Sequence, residues 1–311
     1  MELSILLIRQ IIQLFIIVFC GYLVVKFGIL KSEDSKVLSL LILYVVTPAT
    51  LIDSFAIELT SDVLEGLAIS FIGAIVVHII YIPLANILAR KFHFDPIEKA
   101  SLIYSNSGNL IIPLVSSVLG SEWVIYTCGY MVIQTILLWT HCKTMISGDK
   151  ELSFKKIFLN VGIISITIGM IILFFQIPLP ELFLDTCGQL NNLMGPCAML
   201  IVGMLLGSQN VRSIFLNVRI YLVCFFRLII FPLCVVVVFM LAGKLFALSS
   251  FYTEVLLITT MACCAPAATM VTQFAQMYDM RQGYASRINI LSVLLCIITM
   301  PTMIFIYQLL I

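Results

Sequence analysis

Charge is what this sequence has least of. Of its 311 residues only 11% are Asp, Glu, Lys or Arg, and 17 basic residues against 16 acidic ones leave a formal net charge of +1. Soluble globular chains are roughly a quarter charged, so this chain cannot cover a water-facing surface. So small a net charge gives no reason to expect a nucleic acid as partner. Patterns that carry chemistry are missing as well. The ten cysteines are scattered through apolar stretches without a C-x-x-C pair, which reads as small, polarizable core residues rather than metal ligands or disulfides. No G-x-x-x-x-G-K-[ST] loop occurs, which leaves direct ATP use without support. Paired acids and nucleophile–base sets are absent from the apolar stretches, so neither an enzyme, a metal site nor a cofactor is expected. The opening "MELSILLIRQ" has an acid where a signal peptide carries basic residues, and reads as the start of a retained span.

What is present is apolar length. Hydrophobic residues make up 62% of the chain, and the mean hydropathy is +1.16. A helix needs about 20 apolar residues to cross a bilayer, and on that basis ten spans are expected, near 3–25, 36–55, 64–89, 97–119, 123–145, 155–175, 187–207, 218–241, 253–276 and 283–308. The basic residues test that count. Numbering the loops alternately puts Lys26, Lys31, Lys36, Arg90, Lys91, Lys99, Lys143, Lys150, Lys155, Lys156, Arg212, Arg219, Arg281 and Arg287 on one side. Lys244 alone falls on the other, and Arg9 and Arg227 lie within spans. Cytoplasmic loops carry the Lys/Arg excess, so both termini are expected on the extracytoplasmic side of a cell membrane. Arg9 is expected to snorkel, and Asp53, Glu58, Asp62 and Glu65 to form a solvated outer loop.

Five spans per half is an odd number, so a duplication would set the halves upside down relative to each other. "HIIYIPL" in the third span mirrors "RLIIFPL" in the eighth, "VTPATLI" in the second faces "MGPCAMLI" in the seventh, and Pro113 in the fourth answers Pro266 in the ninth. The expected fold is therefore an all-α membrane protein of two inverted five-helix repeats, 1–147 and 148–311, with crossed, Pro-broken helices 4 and 9. Interrupted helices at matching positions of inverted repeats point to a transporter site at the bilayer midplane. In "SNSGNLIIP", Pro113 disfavours helix before it, Gly108 permits an opened backbone, and Asn106, Ser107 and Asn109 offer hydrogen bonds. In "APAATMVTQ", Pro266 is followed by Thr269 and Thr272. Half-helix N-termini at such a crossing favour an anion. The blander account is a pair of proline kinks whose polar residues glue neighbouring helices together.

Together with "GYLVVKFGIL", "QTILLWT" and "ASRINILSVLLCIITMP", these segments make the chain resemble the auxin efflux carrier family, which includes bacterial malate- and malonate-type permeases and plant auxin exporters. The resemblance runs over nearly the whole length. It implies a homodimer in which spans 1, 2, 6 and 7 form a scaffold and spans 3–5 and 8–10 a transport domain. It also implies elevator-type movement of a small organic anion, with Gln134 at a substrate-facing glutamine position. Plant members carry a carboxylate–lysine pair where this chain has His78, so proton coupling does not carry over. Two readings of Arg227 stand side by side: a cation that attracts the anion, or a structural cation bonded to backbone carbonyls. His78 is either a coupling group or a neutral, hydrogen-bonded interior histidine. The expected substrate-binding set is Asn106, Ser107, Gly108, Asn109, Pro113, Gln134, Pro266, Thr269, Thr272 and Arg227, with His78 in support. Apart from the substrate, membrane lipids and a second copy of the chain, no partner is implied. Alternatives are a non-transporting sensor for a lipid or metabolite, and a sodium-coupled symporter resembling the bile-acid carriers.

Overall fold

A computed structural model of the chain describes residues 2–148, 154–208 and 217–310. Among the described residues the secondary structure is helical throughout, without a strand. Among the described residues, six helical stretches are long and apolar enough to cross a membrane: Ser32–Phe55, Ser61–Phe92, Ser121–Ser147, Glu181–Gly207, Val218–Leu245 and Gln282–Leu310. They match six of the ten expected spans. The first expected span is a continuous helix, α1 (Glu2–Lys26). The sixth is a short α9 (Phe154–Phe158) followed by α10 (Val161–Phe175). The fourth and ninth are each two shorter helices separated by extended backbone. These are α5 (Pro96–Ile103) with α6 (Ser107–Val118), and α14 (Ser250–Cys264) with α15 (Thr269–Met277).

Local chemistry explains most boundaries. Helix α4 (Ser61–Phe92) opens at Thr60, whose hydroxyl accepts the Val63 N–H at 3.3 Å, and closes at His93 in the left-handed conformation. Helix α5 follows with a reciprocal cap, Asp95 and Glu98 each accepting the other's backbone N–H at 2.8 Å, the pattern that satisfies two orphan donors at once. Within the second span, α2 (Ser35–Leu41) and α3 (Thr47–Phe55) are joined by a π-helical turn, Ile42–Val46, just ahead of Pro48. The eighth span repeats the device: α12 (Val218–Phe225) and α13 (Phe231–Leu245) flank the π-turn Phe226–Ile230, ahead of Pro232. A proline ring collides with the carbonyl four residues back, and a widened turn relieves that contact. A third π-turn, Leu138–Cys142, joins α7 (Thr127–Leu137) to α8 (Lys143–Ser147). The chain is completed by α11 (Glu181–Gly207) and α16 (Gln282–Leu310).

Small residues set how closely the helices approach. A Cβ on Gly203 of α11 would lie 2.0 Å from the Val18 carbonyl oxygen of α1, and one on Gly21 would lie 2.5 Å from the Leu200 oxygen. Backbone meets backbone there, which is how apolar helices associate when lipid gives no hydrophobic drive. Gly129 of α7 sits equally tight against Ser70 of α4, a Cβ falling 2.3 Å from its Oγ. The pairs α1–α11 and α4–α7 are thus each drawn together by a close glycine contact.

Candidate functional site

The two breaks meet. Tyr104, Ser105 and Asn106 are extended or turned out of the helix, Tyr104 at φ −98°, ψ 132° and Asn106 at φ −83°, ψ 52°. Ala265 and Ala268 are extended on either side of Pro266 and Ala267. The Asn106 N–H donates to the Pro266 carbonyl at 2.8 Å and the Ala268 N–H to the Tyr104 carbonyl at 2.9 Å. Ser105 and Ala267 form a single antiparallel β-bridge. A stretch of two-stranded pairing lies in the middle of a helical protein, with helix C-termini entering it and helix N-termini leaving it.

That pairing uses up only part of the backbone, and side chains complete the rest. Gln134 of α7, 5% exposed, receives the Ser105 N–H on Oε1 at 2.9 Å and donates Nε2 to the Ser105 carbonyl at 2.9 Å. Its Oε1 also accepts the Ser105 hydroxyl at 2.9 Å, and its second N–H goes to Ser107 Oγ at 3.0 Å. Four bonds exhaust an amide. On the other break, Ser292 Oγ accepts the Ala267 N–H at 3.0 Å and Asn289 Nδ2 donates to the Ala267 carbonyl at 2.6 Å. Both residues belong to α16. Backbone groups with no water to meet must be satisfied internally, and here each break is given a side-chain imitation of a neighbouring strand.

Arg227 serves the opposite ends. It is fully buried, with 0% exposure, and donates Nη1 to the Leu102 carbonyl at 3.2 Å and Nη2 to the Ala265 carbonyl at 2.9 Å. Those carbonyls close α5 and α14, so one cation answers the partial negative charge of two helix C-termini. Its guanidinium also lies over the Tyr81 ring at 5.5 Å, and Tyr81 donates its hydroxyl to the Cys263 carbonyl at 3.3 Å. His78 is buried too. Its Nδ1 donates to the Ala74 carbonyl at 2.8 Å, and its ring packs against Tyr130 and Tyr104 at centroid distances of 5.3 and 6.4 Å.

Two sequence expectations need correcting. Pro113 does not break the fourth span: it lies inside α6, while the break ends at Asn106. Pairing Pro113 with Pro266 therefore misaligns the two crossings by roughly two helical turns. Gly108 does not open the backbone either, because it is helical. Arg227 takes the carbonyl-bonded alternative rather than lining open space. The remaining residues fall as follows. Asn106 and Thr269 face each other across the crossing, Thr269 Oγ1 lying 3.5 Å from Asn106 Oδ1. Ser107 touches Gln134. Pro266 lies within its break. Thr272, in the first turn of α15, has a buried hydroxyl without a partner among the described residues, as do His78 Nε2 and Arg227 Nε. The side chains of Asn109 and Arg9, and all of Lys150 and Arg212, lie outside the described residues.

A model of the membrane transport protein family matches residues 6–154 and 150–304, nearly the full chain in two segments. The chain belongs to that family. Auxin efflux carriers are part of it, in keeping with the sequence resemblance. No curated protein matches the chain. Family membership and the apolar helices together make it a multi-pass membrane transporter. The crossing is irregular backbone buried among helices, its free groups met by Gln134, Asn289, Ser292 and Arg227.

Sequence reasoning missed Ser105, Asn289 and Ser292. A signal existed for the last two: "RINILS" puts an amide and a hydroxyl inside the tenth span, as "IQT" puts Gln134 inside the fifth. It also missed Asn191 of α11, whose Oδ1 lies 3.3 Å from Thr50 Oγ1 of α3 and whose Nδ2 donates to Ser116 of α6 at 3.0 Å.

Proposed function

We propose that the protein is a secondary transporter for a small organic acid anion, of malate, malonate or auxin type, carried at the crossing of the fourth and ninth spans. The observation that carries this reading is the convergence of the α6 and α15 N-termini beside Asn106 and Thr269. The partial positive charge of these helix ends suits a carboxylate, while Arg227 neutralises the opposite, carbonyl-rich ends. Asn106, Thr269 and Thr272 contact the solute, with Ser107, Gly108 and Asn109 supplying the first turn of α6. Gln134, with every bond spent on Ser105 and Ser107, acts as the brace that holds the break open. Arg227, Pro266 and His78 shape the site from behind.

The ten spans form two inverted repeats with both termini extracytoplasmic, assembled as a homodimer. Movement is of the elevator type: α1, α3, α10 and α11 stay fixed through glycine contacts, and the crossing moves against them. The polar contact Asn191–Ser116 joins the two parts and breaks on each stroke. Purified protein in proteoliposomes tests the reading. Saturable uptake of a radiolabelled dicarboxylate or indole acid, lost in Asn106→Ala, is the expected result. Absence of flux for every carboxylate tried, from protein that elutes as a folded species, removes it.

A further inference from the structure

The chain carries a second feature suited to anions, away from the crossing. Where the end of α4 meets the start of α5 and α8, a cavity of about 420 Å³ is lined by Asn86, Ala89, Arg90, Phe94, Pro96, Lys99 and Met145. Its polar side chains are two cations and one amide; the rest of its lining, Ala89, Phe94, Pro96 and Met145, is apolar. The acids nearest in sequence are already engaged. Asp95 is paired with Arg281. Glu98, fully buried, binds Arg219 through both carboxylate oxygens, with Arg219 Nη2 at 2.9 Å, and accepts the Tyr284 hydroxyl at 2.7 Å. Among the described residues Arg90 and Lys99 are left without an acidic partner, and they bear on each other as like charges.

Two cations kept together in one partly covered cavity repel unless an anion joins them. The Asp95 and Glu98 pairs fix the wall, because they tie the start of α5 to α12 and to the start of α16. We infer that this cavity binds a phosphate group, held by Arg90 and Lys99 with Asn86 as the neutral donor, and that the group is presented by an anionic lipid whose first acyl carbons rest on Phe94 and Met145. Basic pockets between helices at the positively flanked face of a membrane protein take lipid headgroups in this way. The site is independent of the transport reading.

The test uses the full chain in neutral detergent, with thermal unfolding followed as lipid is titrated. Phosphatidic acid and phosphatidylglycerol are compared with phosphatidylcholine, and inorganic phosphate alone forms a separate arm. The wild type is expected to gain melting temperature with the anionic lipids and not with phosphatidylcholine. Arg90→Gln with Lys99→Gln is expected to weaken the apparent affinity about thirtyfold, at about 1 kcal/mol per cation near a membrane surface. A gain with inorganic phosphate that the double variant abolishes also supports the site, with a soluble ligand as the source. Ala89→Phe fills the cavity with both charges kept and is expected to lose the same response, so the inference survives a double variant that fails to fold. An anionic-lipid gain that persists undiminished in R90Q/K99Q and in A89F overturns it, as does the absence of any gain in the wild type.

Discussion

The two breaks reach one geometry by different means. In the fourth span no residue forces Tyr104–Asn106 out of the helix, and a single glutamine supplies both the donor and the acceptor that Ser105 needs. In the ninth span Pro266 sits within the break and has no N–H to lose, and the equivalent work at Ala267 is divided between Asn289 and Ser292. One break is imposed by its neighbours; the other is partly written into its own backbone. The first should therefore be the more fragile. Arg227, bonded to a carbonyl from each side, is the element they share.

The largest effect is expected from Gln134→Leu, which leaves the buried N–H and carbonyl of Ser105 without partners. At about 1–3 kcal/mol for each orphaned group, the loss is roughly 2–6 kcal/mol, read as a lower melting temperature in detergent together with loss of flux. A Gln134→Leu protein that melts like the wild type would show that the fourth-span break holds itself open. Arg227→Lys comes next. A point charge cannot span two carbonyls as a guanidinium fork does, and losing one charged hydrogen bond costs about 1.5–3 kcal/mol. If binding of a carboxylate falls while the melting temperature stays unchanged, Arg227 serves the solute and not the helix ends.

Asn289→Ala orphans only the Ala267 carbonyl, so about 1–3 kcal/mol is expected, less than for Gln134→Leu. The double variant with Ser292→Ala should bring the ninth break level with the fourth, and thermal melts of the three proteins side by side would sharpen the comparison. The smallest effect is expected from Pro113→Ala. Alanine restores a helical N–H inside α6 and leaves the break at Asn106 untouched, so stability should shift by less than about 1 kcal/mol and transport should persist. Loss of transport on this change, with an intact fold, would return Pro113 to the site.

Much of the helix plan was legible because lipid imposes a length. Six of the long helices lie where apolar runs of sufficient length predicted them, and the meeting place of the fourth and ninth spans lies within the two polar, proline-bearing segments that drew attention. The details were less legible. Proline was a good guide at Pro266 and a poor one at Pro113, since a proline in a helix is tolerated wherever its neighbours satisfy the freed carbonyl; Pro83, Pro196 and Pro301 lie inside helices as well. Gln134 was visible as an in-span amide, but its assignment to Ser105 was not, because nothing in "IQT" names the strand it imitates.

Sparse charge and long apolar runs sufficed to determine a membrane-embedded helical chain, because a bilayer admits few ways to satisfy a backbone. Where the fourth helix stops, and that Arg227 spends its charge on carbonyls, only the tertiary structure decided. Both depend on hydrogen bonds between residues more than a hundred positions apart, such as Asn106 with Pro266 and Arg227 with Leu102, and such partners exist only once the helices have packed.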